Sequence, residues 1–366
     1  MATGLLFFLS RSKNLASNTM PVPMINQSNG ITYGVALGSS ATTWSKSKMD
    51  KSFEQMKKLG ITSIRFDISW SSLQPNDSKH YNWAPYDTLI HKAIHSGISS
   101  LVILDYTPVW ARQKKCAETQ MCPPKDNQQF ADYAAAVVKR YESQGVNTYE
   151  IWNEQNSVQF WQPYPSPEAY QKLLHATAVT MRDQSKNITI LTGGMSPAGD
   201  PSEAIAPRDY LKRLYDAGAK NDFDGIAFHP YTSPFIVGQS EATNWDLMDT
   251  GTDNLRSTMD AESDSAKKIW ITEYGAATNG SGKGAIHQVT NTGYDHVSFE
   301  LQAEMADTAV ASAESKPWLA SLYWYTLEDG QNISSDRENF FGLQDSLGNT
   351  KPAFISLQNA LKSIKR

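Results

Sequence analysis

Two acidic residues stand at the ends of strongly apolar runs. Residues 149–156 read YEIWNEQN and residues 268–275 read KIWITEYG, so Glu154 and Glu273 each close a segment containing Ile and Trp. Asn153 adds an uncharged amide beside the first of them. An apolar run that stops at a carboxyl group is the pattern of a buried strand presenting chemistry at its tip. Two carboxyl groups at one rim can divide the work of acetal cleavage, as at a glycosidic bond. One protonates the departing oxygen, and the other attacks the carbon that loses it or directs water there. A lone Glu at a strand end is more often a solvated surface group. Two at matching positions, one preceded by Asn, argue for a catalytic pair.

The elements that would position them follow from hydrophobic period. Short β-rich runs occupy 31–37, 63–69, 100–106, 148–154, 188–194, 225–231, 268–274 and 321–327. Each is nearly continuous in apolar residues, as expected of parallel strands covered on both faces. Between them lie stretches of helical spacing, with one-sided stripes such as Met49, Phe53 and Met56, or Phe130, Ala134 and Val137, or Tyr170, Leu174 and Thr177. Gly60, Gly97 and Gly145 stand just before strands, where a helix end favours a left-handed residue. Eight strands alternating with helices predict a (β/α)8 TIM barrel, with the functional loops at the C-terminal ends of the strands. The competing doubly wound sheet lacks its glycine signature, since ALGSSATTW after the first strand has no G-x-G-x-x-G. One domain over 29–366 is expected, preceded at 1–28 by a disordered lead-in or the remnant of an export signal.

Composition bounds the partners. The chain has 366 residues, 40% apolar and 19% charged, with a formal charge of -5. No basic stripe offers itself to a polyanion, so nucleic acid is excluded. No apolar run reaches the roughly 20 residues that cross a bilayer, so no membrane insertion is expected. The 10 Trp, 16 Tyr and 13 Phe suit both core packing and the binding of flat sugar faces. Cys116 and Cys122 are the only cysteines, a disulfide if the protein is exported and free thiols if it is cytosolic. Too few Asp, Glu and His converge on strand tips for a metal-assisted enzyme, so no metal and no organic cofactor is expected.

At this point the sequence resembles the retaining glycoside hydrolases of the large (β/α)8 clan, clan A, which carry Asn-Glu at the end of strand four and Glu at the end of strand seven. WNEQN and ITEYG match that pattern, and the likeness runs through most of residues 30–360, closest to families 5 and 39. The resemblance implies Glu154 as acid/base, Glu273 as nucleophile, and Asn153 as the amide holding the sugar hydroxyl next to the reacting carbon. Arg65, His229, Tyr231 and Trp324 agree with further substrate-site positions of the clan. Arg65 would keep Glu273 ionised, although Asp67, two residues on, is its alternative and purely structural partner. Tyr231 would donate to Glu273, His229 would line the site, and Trp324 would floor it. Two departures leave the sugar open: Gln155 stands where many members read Pro, and LDYTPVW ends strand three without a His.

Further side chains have two readings each. Trp70, Trp110, Trp161 and Trp245 are outer sugar subsites or loop anchors; Glu328 and Asp329 are hydroxyl contacts or solvated loop residues; Asp105 and Asp126 carry no assignment. The expected function is a monomeric, extracellular or cell-envelope retaining hydrolase of β-type, equatorial bonds in an oligo- or polysaccharide. A transglycosylase shares the same intermediate and differs only in acceptor. A carbohydrate-binding barrel without catalysis would predict the loss of one acid.

Overall fold

The computed structural model describes residues 30–238, 243–278, 296–330 and 337–364, together with a short ribbon pairing Val289–Thr290 with Gly293–Tyr294. The expected lead-in at 1–28 and most of the loop after the seventh strand lie outside the described residues. Eight parallel strands close into a barrel. They are β1 (Thr32–Ala36), β2 (Ser63–Asp67), β3 (Ser99–Leu104), β4 (Thr148–Asn153), β5 (Thr189–Gly194), β6 (Gly225–Phe228), β7 (Lys268–Tyr274) and β8 (Leu319–Tyr325), with β8 paired to β1. Each expected run coincides with one strand to within three residues at either end.

Helices alternate with them: α1 (Lys46–Leu59), a single turn α2 (Trp70–Leu73), α3 (Ala84–His95), α4 (Asn127–Tyr141), α5 (Pro167–Gln184), α6 (Pro207–Asp216), α7 (Leu255–Ala261), α8 (Phe299–Glu314) and α9 (Pro352–Ile364). The stripes read from the sequence on α1, α4 and α5 are all buried. Each large apolar side chain so covered contributes about 1.5–3 kcal/mol. Local signals set the ends of the helices. The Ser45 hydroxyl accepts from Lys48 N at the start of α1, and Gly60 ends it at φ 91°, a conformation that costs glycine little. Asp126 caps α4 by accepting from Gln128 N, which accounts for a residue without earlier assignment.

Two apolar layers result. The larger lies between strands and helices; the smaller, Ala36, Leu101, Leu191, Ala227, Trp270, Ala320 and Tyr323, fills the barrel itself. Gly225 makes room for the Trp270 indole, since a Cβ there would meet its Nε1 at 2.7 Å. Cys116 and Cys122 are joined as a disulfide in the loop between β3 and α4. Among the described residues no helix is long and apolar enough to cross a membrane.

Candidate active site

β4 delivers its acid by breaking its own regularity. Tyr149 and Ile151 face the helical layer and Glu150 faces the barrel interior, but Trp152 also packs outward, against Tyr106, Phe130 and Trp161. Trp152 has φ 71° and Glu154 φ 45°, left-handed conformations that cost a non-glycine residue about 1–2 kcal/mol. The gain is that Asn153 and Glu154 both turn to one cavity. The arrangement is tied down by Trp152 Nε1 donating to Phe160 O at 2.7 Å and Glu154 N donating to Gly194 O at 2.9 Å. Gln155 and Asn156 are fully buried behind the tip. Gln155 Nε2 donates to Gly193 O at 3.0 Å, and Asn156 Nδ2 donates to Ser196 O at 2.8 Å and Ile205 O at 2.9 Å. Gln155, standing in the position of the pattern's proline, therefore fastens β4 to β5.

β7 delivers the second acid through an irregularity of its own. Leu322 pairs with Ile271 but Trp324 pairs with Tyr274, so β7 holds one extra residue between them. Such a bulge re-aims side chains, and Thr272 and Glu273 both reach polar partners inside the barrel mouth.

Arg65 joins the two strands. From β2 its Nη1 donates to Glu273 Oε1 at 2.5 Å, Nε and Nη2 donate to Glu150 at 2.7 and 2.9 Å, and Nη2 also donates to Asn153 Oδ1 at 2.9 Å. Glu150 is fully buried and also accepts from Gly194 N at 2.7 Å. The sequence reading assigned it no role. The available signal was a carboxylate at an inward position of a wholly buried strand, which demands a cation opposite. Burial opposes the Arg65 charge, but Glu150 and Glu273 outweigh it and raise its pKa.

Glu273 also accepts from the Tyr231 hydroxyl, on Oε2 at 2.7 Å. Burial pushes its pKa up; the charges of His229 and Arg65, with the hydrogen bonds from Tyr231 and Arg65, bring it below the usual carboxylate value. His229 lies fully buried with Nδ1 at 2.8 Å from Glu154 Oε1 and 3.7 Å from Glu273 Oε2, and Nε2 at 3.0 Å from Thr272 Oγ1. Burial disfavours the imidazolium, yet the two carboxylates raise its pKa overall. Glu154, His229 and Glu273 each bring one atom of a metal-ligating type within 4.8 Å of the other two. The Arg65 charge on Glu273 opposes a cation there.

These groups open on a cavity of about 940 Å³. Asn153, Glu154, Tyr231 and Glu273 line it, while Arg65 and His229 lie buried behind them. Trp324 is a correction. Its ring packs on Tyr274 in the outer layer and its Nε1 donates to Phe341 O, so it does not floor the site. Side chains alternate from Leu322 to Tyr325, and it is Tyr325 that reaches the cavity wall, with Phe341 beside it. Trp70, Trp161 and Trp245 are buried packing residues, and Trp110 donates to Gln74 O, so the anchoring reading holds for all four. Glu328 pairs with Lys48 and Asp329 with Lys351, neither on the cavity.

The sequence profile of the cellulase family, glycosyl hydrolase family 5, matches residues 26–311. The chain belongs to glycosyl hydrolase family 5. Of the two families named by the resemblance, this match selects the first. Over 117 residues, 30% of its length, the family 5 chain is 33% identical to a beta-xylosidase from Geobacillus stearothermophilus, and the match takes in 22% of that protein. It superposes on a family 39 glycoside hydrolase from the gut symbiont Bacteroides cellulosilyticus WH2 with TM-score 0.69 and 22% identity, covering 94% of this chain and 66% of that one. Against GH5_18 from Streptomyces cattleya in complex with GlcNAc the TM-score is 0.64 at 15% identity, with 92% and 81% covered. At such identities the likeness is one of fold. Family and fold together group the chain with the clan A glycoside hydrolase families.

Proposed function

We propose that this family 5 protein is a retaining hydrolase of equatorial, β-type bonds in an uncharged oligo- or polysaccharide. The observation that carries this is the spacing of the acids: one oxygen of Glu154 and one of Glu273 lie within 4.8 Å of each other. Retaining enzymes hold their carboxyl groups about 5–5.5 Å apart, whereas inverting enzymes leave about 6.5–9.5 Å for a water between them. In this reading Glu273, held ionised by Arg65 and Tyr231, attacks the anomeric carbon while Glu154 protonates the departing oxygen. The glycosidic bond breaks as the Glu273 ester forms. Glu154, now a carboxylate, takes a proton from water, and the resulting hydroxide equivalent displaces Glu273. His229 orients one oxygen of Glu154. The other has no protein partner among the described residues and is the one that moves the proton. Asn153 holds the hydroxyl beside the reacting carbon.

The cavity lining supports an uncharged substrate. Among the described residues it carries the carboxyl groups of Asp67, Glu154, Asp200, Glu203, Glu273 and Glu338 against one cation, Arg337, a field that repels uronate or sulfated chains. Both acids and their named partners come from one chain, so the proposed chemistry needs no residue from a second copy, in keeping with a monomer as the working unit. The disulfide supports an extracellular or cell-envelope location, because cytosolic thiols are kept reduced. A panel of neutral and uronate-bearing β-glycans, assayed for new reducing ends, tests the reading. Release from neutral chains is expected; release from uronate chains alone, or from none, contradicts it.

A further inference from the structure

Asp67 ends β2 on the wall of the same cavity and is only 8% exposed. The structural partner expected for it is otherwise engaged. Arg65, on the same face two residues earlier, directs its guanidinium to Glu150, Asn153 and Glu273, and makes no ion pair with Asp67. Among the described residues no backbone or side-chain donor bonds the Asp67 carboxylate. Asp105, the neighbouring buried acid beyond β3, has both oxygens unpaired as well and supplies no bond. Burial pushes Asp67 up to about 7, with Glu273 and Glu150 adding to the rise and Arg65 opposing it.

A nearly buried carboxylate without donors is costly, and buried polar groups in native folds have partners. Here the open side of the group is the cavity. An ionised carboxylate accepts only, and its two oxygens match the two adjacent hydroxyls of a sugar ring. Asn153, on β4, is already placed for the hydroxyl beside the reacting carbon. Asp67 stands two strands away, next to Leu37, Ile103 and Tyr106 on the other wall. We propose that Asp67 is a specificity residue: it accepts hydrogen bonds from the ring hydroxyls farther from the reacting carbon, on the sugar unit held between Glu154 and Glu273. The proposal rests on the hydrolase reading for which unit is held there. It makes the barrel wall at β2 a reader of sugar identity and not just a support for Arg65.

The test takes an aryl β-glycoside that the wild type hydrolyses, with its 3-deoxy and 4-deoxy analogues, and compares wild type, Asp67→Asn and Asp67→Ala. The intrinsic effect of deoxygenation cancels when the parent-to-deoxy ratio of kcat/KM is compared between proteins. Coupling of about ten- to hundred-fold is expected for at least one analogue in Asp67→Ala, the range for a hydrogen bond to a charged group. A coupling near one for both analogues overturns the proposal. Asp67→Asn, equal in size, guards against misfolding, and above pH 7, where Asp67 is ionised, its Tm is expected to equal or exceed that of the wild type because a buried unpaired charge is removed. A lowered Tm together with unit coupling would make Asp67 a structural residue. If the wild type hydrolyses no glycoside, it is the hydrolase reading that fails. Titration calorimetry with xylose, glucose, mannose and N-acetylglucosamine then decides Asp67 separately: weaker binding of any of them by Asp67→Ala sustains its role, and equal or absent binding in both proteins overturns it.

Discussion

Tyr231→Phe removes one hydrogen bond from the proposed nucleophile and nothing else. The ring keeps its edge contact with Phe341, while Glu273 Oε2 loses its donor at 2.7 Å. Arg65 stays on Oε1, and His229 Nδ1 lies 3.7 Å from Oε2. A hydrogen bond to a charged group is worth about 1.5–3 kcal/mol, and each pKa unit corresponds to about 1.4 kcal/mol, so the ionised form should lose one to two units of preference. Glu273 is 15% exposed, enough for water to replace part of the lost bond, which places the shift near one unit. The sign follows from the charge. Burial raises the Glu273 pKa and its donors lower it, so deleting a donor moves it up. The acidic limb of kcat/KM, which reports the free enzyme, should move to higher pH by about one unit. Glu273 lies beside His229, so the whole profile is compared and no single residue is fitted. An acidic limb that stays in place while Tm is unchanged would refute the idea that Tyr231 keeps Glu273 ionised.

Other outcomes follow from the same contacts. Glu154→Gln should slow substrates with poor leaving groups far more than activated aryl glycosides in the glycosylation step, because an activated group needs little protonation; Glu273→Gln should abolish both, and equal losses in Glu154→Gln would contradict its role. Gly194→Ala would drive a Cβ into the His229 imidazole, which Glu154 and Thr272 hold from either side; kcat/KM should fall at least about ten-fold, an effect near 1.4 kcal/mol, and wild-type kinetics would show that His229 does not need its place. Lys351→Met leaves Asp329 buried without its cation, at about 3–5 kcal/mol in urea unfolding. The double variant with Asp329→Asn should recover part of it, and no recovery would mean that the pair is not the cause.

The barrel was legible because its strands are buried on both faces, so each reads as a nearly continuous apolar run, broken inside only by a few polar or charged residues such as Arg65 and Glu150. Glu154 and Glu273 were legible for the same reason. How they reach the cavity was not: the left-handed turns at Trp152 and Glu154 and the extra residue in β7 carry no residue type that announces them. Trp324 went to the wrong face because it was matched to a substrate-site position of the resembled clan on strand eight, whereas alternation along Tyr323, Trp324 and Tyr325 places the tyrosines inward. The parity was present in the sequence; the bulged registers of β7 and of the start of β8 show why parity alone is a weak guide. Glu150 was hidden by its apolar neighbours, and its meaning depends on Arg65, a residue 85 positions away. Asp67 was seen only as a possible mate for Arg65, and its lack of any donor is visible only in three dimensions.

The central claim is direct attack by Glu273, and the configuration of the first product tests it most directly. Proton NMR during hydrolysis of an aryl β-glycoside, read before mutarotation, should show the β-anomer appearing first, since two displacements at one carbon restore its configuration. An α-anomer appearing first would contradict the account. It would mean that water attacks between Glu154 and Glu273, across carboxyl groups held farther apart in the working enzyme than here, where one oxygen of each lies within 4.8 Å of the other.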